Sequence, residues 1–169
     1  MKNKGKSPQR KKRALITGIT GQDGSYLAEH LLTQGYEVWG LVRRTSLDPH
    51  MRIMHMTLPR HIKLVYGNLR DEATLREALE QSRPDEIYNL SAQSFVKASW
   101  DIPEYTFDVN AIGIIRLLEA IRTFGKKDTR IYQASSSEIF GDTKIKPQDE
   151  NTPFSPRSIY GVSKCSAHH

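Results

Sequence analysis

The hydrophobic period of the chain switches back and forth along its length, and this alternation limits the available folds more than any other feature. Ala14–Thr17 (ALIT) is a short apolar run stopped by glycine and reads as a buried strand. Ser25–Gln34 carries Leu27, Leu31 and Leu32 at helical spacing and ends at Gly35. Further strands are expected at Glu37–Val42, Ile62–Tyr66, Glu86–Leu90 and Thr129–Ala134. Further helices are expected at Asp71–Gln81, Pro103–Phe124 and from Ser158 onward. Strand and helix alternating along most of the chain, with no clear element at Arg44–Arg60, predict a parallel sheet with helices on both faces, an α/β doubly wound architecture.

Charge narrows the function. The formal net charge is +6, but seven of the 25 cationic side chains and none of the 19 acids lie in residues 1–13. The rest of the chain therefore carries a net charge of −1. A basic segment without apolar residues cannot pack, so residues 1–13 are expected to form a disordered tail and residues 14–169 the folded domain. No nucleic-acid partner is expected of a near-neutral body. No run of about 18 apolar residues occurs, so no membrane span is expected. A single cysteine, Cys165, and the lack of a signal-like apolar segment fit a cytoplasmic protein. His50, Met51, Met54, His55 and Met56 cluster between elements, but no acid or thiolate completes a ligand set, and no metal is expected.

The first strand runs into Gly18-Ile19-Thr20-Gly21-Gln22-Asp23-Gly24 and then a helix. This order of elements suits a dinucleotide turn. Glycine lets the backbone approach a pyrophosphate, which the free N–H groups of the helix then hold. The second strand ends Leu41-Val42-Arg43-Arg44-Thr45-Ser46 instead of in the acid that would take ribose hydroxyls. Two guanidinium groups and two hydroxyls suit a 2′-phosphate, so the expected cofactor is NADP.

Tyr160 and Lys164 stand four residues apart on one helical face. An ammonium beside a phenol favours the phenolate, so Tyr160 could take a proton from a sugar hydroxyl while hydride leaves the same carbon. A serine at the end of the fifth strand, in Tyr132–Asp142 (YQASSSEIFGD), could hold that hydroxyl.

Together the stretches TGITGQDGSYLAEHLL, LVRRTS, LSAQSFVKASW, YQASSSEIFGD and SPRSIYGVSKC resemble the extended short-chain dehydrogenase/reductases, and within them the GDP-mannose 4,6-dehydratase family. The resemblance implies a Rossmann-type domain. Residue by residue, it makes Ser136 the catalytic hydroxyl, usually threonine in the family, and Glu138 the base for an elimination. Tyr160 and Lys164 match the tyrosine and lysine that complete the site and touch the cofactor. It also implies cofactor binding by Gly18, Ile19, Thr20, Gly21, Gln22 and Asp23, by Arg43, Arg44, Thr45 and Ser46, and by Asn68 and Leu69. The same role falls to Leu90, Ser91, Ala92, Gln93, Ser94 and Tyr105.

The implied reaction converts GDP-mannose to GDP-4-dehydro-6-deoxymannose and water, a hydro-lyase reaction. The alternatives are a dehydratase or epimerase of another nucleotide sugar, or a non-catalytic NADP-binding fragment. Gly67-Asn68-Leu69 stands where the family often has G-D-L. Family members continue beyond the position of His169 into a sugar-nucleotide domain, so this chain is expected to be an N-terminal part. A homodimer or homotetramer is implied, with Asn110–Phe124 as a candidate interface.

Overall fold

The computed structural model describes residues 10–46, 51–54 and 59–169. Strand β1 (Arg13–Thr17) leads into helix α1 (Gln22–Thr33) and strand β2 (Glu37–Val42), followed by the short helix α2 (Met51–Met54). Strand β3 (Ile62–Tyr66), helix α3 (Glu72–Ser82) and strand β4 (Glu86–Asn89) come next. The short helices α4 (Ala98–Asp101) and α5 (Pro103–Phe107) precede helix α6 (Gly113–Phe124), strand β5 (Arg130–Gln133) and helix α7 (Ile159–His168).

The five strands form one sheet in the order β3-β2-β1-β4-β5, and every pairing is parallel. Successive side chains of a strand point to opposite faces, and the core divides accordingly. Leu15 packs on one side with Leu75 and Leu79 of α3 and Leu117 of α6. Ala14 and Ile16 pack on the other with Ala28 and Leu31 of α1. Helices therefore cover both faces, as the alternation predicts. The β1–α1–β2 crossover places the start of α1 above the carboxyl ends of the strands, where α/β sheets bind ligands.

Strands β2 and β3 have the expected limits. Helix α1 starts three residues before the predicted Ser25. Its first turn, Gln22–Gly24, has no large apolar side chain to signal a helix, and a Cβ on Gly24 would lie 2.3 Å from the Gly18 carbonyl oxygen. The predicted Pro103–Phe124 helix is interrupted by a π turn at Asp108–Ile112, which an average period cannot reveal. Helix α7 starts as expected, with the Ser158 hydroxyl accepting the Gly161 N–H at 2.9 Å.

Of the basic segment, residues 10–13 are described, and they make specific contacts. Arg10 pairs with Asp85 at 2.7 Å, Lys12 with Glu86 at 3.2 Å, and Arg13 opens β1. Acids remote in sequence supply the partners that the local reading lacked. His50, His55 and Met56 lie outside the described residues. Among the described residues, no helix is long and apolar enough to cross a membrane.

Candidate active site and cofactor cleft

A cleft of about 720 Å³ opens at the carboxyl ends of the strands. Gly18, Thr20 and Gly21 of the turn after β1 line it, as do Arg43, Arg44 and Thr45 after β2 and Asn68 and Leu69 after β3. Leu90, Ser91, Ala92 and Ser94 after β4 and Tyr105 of α5 complete the predicted part of the wall.

Gly18 takes φ +72°, and a Cβ there would stand 2.9 Å from the backbone of Leu90 and Ser91. Only glycine brings the β1 turn this close to the β4 loop. The turn closes by a bond from Gly21 N–H to the Gly18 carbonyl at 2.9 Å, and α1 begins immediately after it. The Gly21 cap carries no side-chain hydrogen bond, which leaves the first N–H groups of α1 open to an anion.

At the end of β2, Arg43 donates to the Tyr105 hydroxyl at 3.1 Å, and the Arg44 guanidinium lies 4.6 Å over the Tyr66 ring. Among the described residues, neither arginine has a carboxylate partner. A glycine turn at a helix start, together with two arginines that have no acid partner among the described residues, fits a phosphate-rich dinucleotide.

Other predicted residues lie off the cleft wall. The Ile19 side chain is fully buried in the core against Gly40. Gln22, Asp23 and Ser46 are exposed. The Gln93 side chain is bound to its own loop and to α5, accepting the Phe95 N–H at 2.7 Å and donating to the Phe95 carbonyl and the Thr106 hydroxyl, each at 3.2 Å. The cleft also includes Tyr66, Arg70, Thr74 and Glu77, which the sequence reading missed. Tyr66 carried a usable signal, an aromatic at the carboxyl end of a strand next to the one ending in arginines.

The other predicted group gathers where β5 meets α7. After β5 the chain extends to Ser136, whose hydroxyl accepts the Glu138 N–H at 3.2 Å and caps a single turn of 3-10 helix. Tyr160 and Lys164 are both buried, at 8% and 4% exposure. The Lys164 ammonium donates to the Ala134 carbonyl at 2.7 Å, two residues before Ser136. Burial lowers the Lys164 pKa from its ordinary value. One turn away, the backbone of Glu138 rests against Gly161. Helix α7 and the β5 loop thus bring Ser136, Glu138, Tyr160 and Lys164 into one region.

The model of the family described as GDP-mannose 4,6 dehydratase matches residues 15–169. The chain is 52% identical to a GDP-mannose 4,6-dehydratase of Vibrio cholerae over 94% of its own length and 44% of the relative's. It is 53% identical to GDP-mannose 4,6 dehydratase 1 of Arabidopsis thaliana, over 94% of its length and 46% of the relative's. The human GDP-mannose 4,6 dehydratase is 51% identical, with 92% and 44% covered. The chain thus spans a little under half the length of these curated relatives.

Among solved structures, it is similar to the UDP-glucose 4-epimerase of Thermus thermophilus in complex with NAD. The TM-score is 0.80 at 29% identity, with 93% of this chain and 49% of that one covered. The UDP-glucose 4-epimerase of Thermotoga maritima with UDP-glucose gives a TM-score of 0.79 at 28% identity, with 91% and 48% covered. With a Rossmann-type sheet, a glycine turn, and a family match over residues 15–169, the chain belongs to the GDP-mannose 4,6-dehydratase family.

Proposed function

We propose that the protein acts as an NADP-dependent dehydratase on GDP-mannose, forming GDP-4-dehydro-6-deoxymannose and water. The observation that carries this reading is the Lys164 bond to the Ala134 carbonyl, which ties the helix of Tyr160 to the loop of Ser136 and Glu138. The names of the relatives support the substrate and the reaction. Arg43 and Arg44 support NADP over NAD, since a 2′-phosphate would supply the anion that neither arginine finds among the described residues.

NADP+ would be held by the Gly18–Gly21 turn with Arg43 and Arg44, and would supply a hydride acceptor for C4 of the sugar and a hydride donor for C6. Tyr160 takes the proton of the C4 hydroxyl, and Ser136 holds that hydroxyl by a hydrogen bond. Lys164 places positive charge near the developing phenolate. The resulting C4 ketone acidifies the C5 proton, which Glu138 removes. The C6 hydroxyl then leaves as water with the proton that Glu138 has taken, and once hydride is on C6 a proton returns to C5, balancing the one that Tyr160 took from the C4 hydroxyl. A C4 epimerase has no C5 proton to remove, so the elimination gives Glu138 its role.

The protein is further proposed to be cytoplasmic and to work as a homodimer or homotetramer. Ile115 and Leu118 on α6, 54% and 45% exposed, support a subunit contact along that helix.

The test is mass spectrometry of GDP-mannose after incubation with the protein and trace NADP+. Loss of one water without net cofactor reduction is the expected result. Unchanged GDP-mannose would refute the proposal.

A further inference from the structure

Three adjacent strands end in polar side chains that stand in one row across the sheet. Thr17 of β1 is in register with Asn89 of β4, and Asn89 with Gln133 of β5. Thr17 is 0% and Asn89 2% exposed, in positions where apolar side chains would pack without any need for partners. Here every partner is present. The Ser91 N–H donates to the Thr17 hydroxyl at 3.2 Å, and that hydroxyl donates to Asn89 Oδ1. Asn89 Nδ2 donates to Gln133 Oε1 at 2.6 Å, and Gln133 Nε2 donates to the Ala134 carbonyl at 3.1 Å.

The two ends set the direction of the row. The Ser91 N–H can only donate, and the Ala134 carbonyl can only accept. Gln133 must therefore turn its NH₂ toward Ala134 and its oxygen toward Asn89. Asn89 must then present NH₂ to Gln133, which leaves its oxygen for the Thr17 proton. No amide can reverse without setting two acceptors or two donors face to face. The Ala134 carbonyl accepts one more bond, from Lys164 Nζ at 2.7 Å. At the opposite end, Ser91 lines the cofactor cleft.

We propose that Thr17, Asn89 and Gln133 act as one positioning unit that aims the Ala134 carbonyl at the Lys164 ammonium and couples it to the cleft wall at Ser91. The catalytic consequence rests on the role given to Lys164 above, while the coupling to its ammonium does not. Each link orients and polarises the next, so the losses from breaking two links should fall short of their sum. A released carbonyl deprives a buried ammonium of its acceptor, and Lys164 then gives up its proton more readily.

The experiment follows lysine side-chain carbons by NMR against pH in the whole protein labelled with ¹³C-lysine. Lys164→Met assigns the resonance. Gln133→Met breaks the row on β5, where the side chain is only half-buried and the change is expected to disturb the fold less than one at Asn89. Asn89→Leu breaks it at the centre. In both variants Lys164 is expected to titrate at lower pH than in the unaltered protein. The kcat should fall on the order of 10- to 100-fold with KM for GDP-mannose little changed, and the loss in the double variant should fall short of the product of the two single losses.

An unmoved or raised Lys164 titration in Gln133→Met would overturn the proposal, as would a double variant whose losses multiply. Full turnover by Lys164→Met would refute the catalytic reading of Lys164 instead, and the titration alone would then decide whether the unit exists.

Discussion

Gly161 lies against the carbonyl of Glu138 so closely that a Cβ on Gly161 would stand 2.7 Å from that oxygen. It would also meet the Pro156 Cβ at 3.1 Å, so α7 could not shift aside without disturbing the loop before it. The missing side chain is what lets the helix carrying Tyr160 and Lys164 dock beside the loop carrying Ser136 and Glu138. Gly161→Ala should destabilise the protein by about 1–3 kcal/mol through overpacking. It should also lower turnover more than it lowers cofactor affinity, because the glycine cleft lies elsewhere. Thermal unfolding and NADP+ titration check both, and a variant with unchanged Tm and turnover would remove Gly161 from the account.

A second prediction concerns the opposite end of the sheet. The Asp85 carboxylate accepts from Arg10 at 2.7 Å, from Lys126 at 2.8 Å and from the Arg13 N–H at 2.9 Å. The Arg10 bond, with those of Lys126 and Arg13, holds its carboxyl well below the ordinary carboxylate range. The folded state therefore binds fewer protons than the unfolded chain as the pH drops below about 5. This stabilisation is complete above the unfolded value of about 4 and is lost as the pH falls through the lower folded value. Asp85→Asn should lose about 1–2 kcal/mol at pH 7, because Arg10 remains exposed to water and screened. Urea unfolding between pH 7 and pH 3 should show the two proteins converging in acid. Parallel curves would refute the assignment.

Asp85 also shows why one part of the fold escaped a linear reading. Arg10, Lys12 and Arg13 look like a solvated basic tail because their acids, Asp85, Glu86 and Glu37, are far away in sequence. Strands β2 and β3 were legible to the residue because each is an apolar run bounded by polar turn residues. The interruption at Asp108–Ile112 was not legible, since one extra residue in a turn leaves the helical spacing of Ile114, Leu117 and Ile121 intact. The glycine turn and the arginines were readable as local motifs. Thr74 and Glu77 of α3 carry no local signal of the cleft they line, and the row from Thr17 to Gln133 is visible only once strand register is known.

The arginines after β2 give a third prediction. Arg43 is held by the Tyr105 hydroxyl and Arg44 by the Tyr66 ring, so both are oriented at the cleft wall without an acid among the described residues. Replacing both with alanine should weaken NADP binding by about 10- to 100-fold, the loss of one or two charged hydrogen bonds. NAD affinity should hardly change. Calorimetric titration with each dinucleotide measures the difference, and equal losses would exclude a 2′-phosphate site.

The last prediction separates the two chemical steps. Glu138 is half-buried, and its backbone N–H is fixed by the Ser136 hydroxyl, so a change at its carboxylate need not move the loop. Glu138→Gln preserves size and the possibility of hydrogen bonding but removes the proposed base. Oxidation at C4, proposed above to rest on Tyr160 and Lys164, should continue and appear as reduced-cofactor absorbance on adding GDP-mannose. Water loss should fall by about 10²–10⁴-fold, the usual contribution of a positioned base. The absorbance would then persist instead of disappearing as hydride returns to C6. Undiminished dehydration by this variant would assign the C5 proton to another group. Loss of the absorbance as well would mean that Glu138 also acts in the first step, against the division of roles proposed for Tyr160 and Glu138.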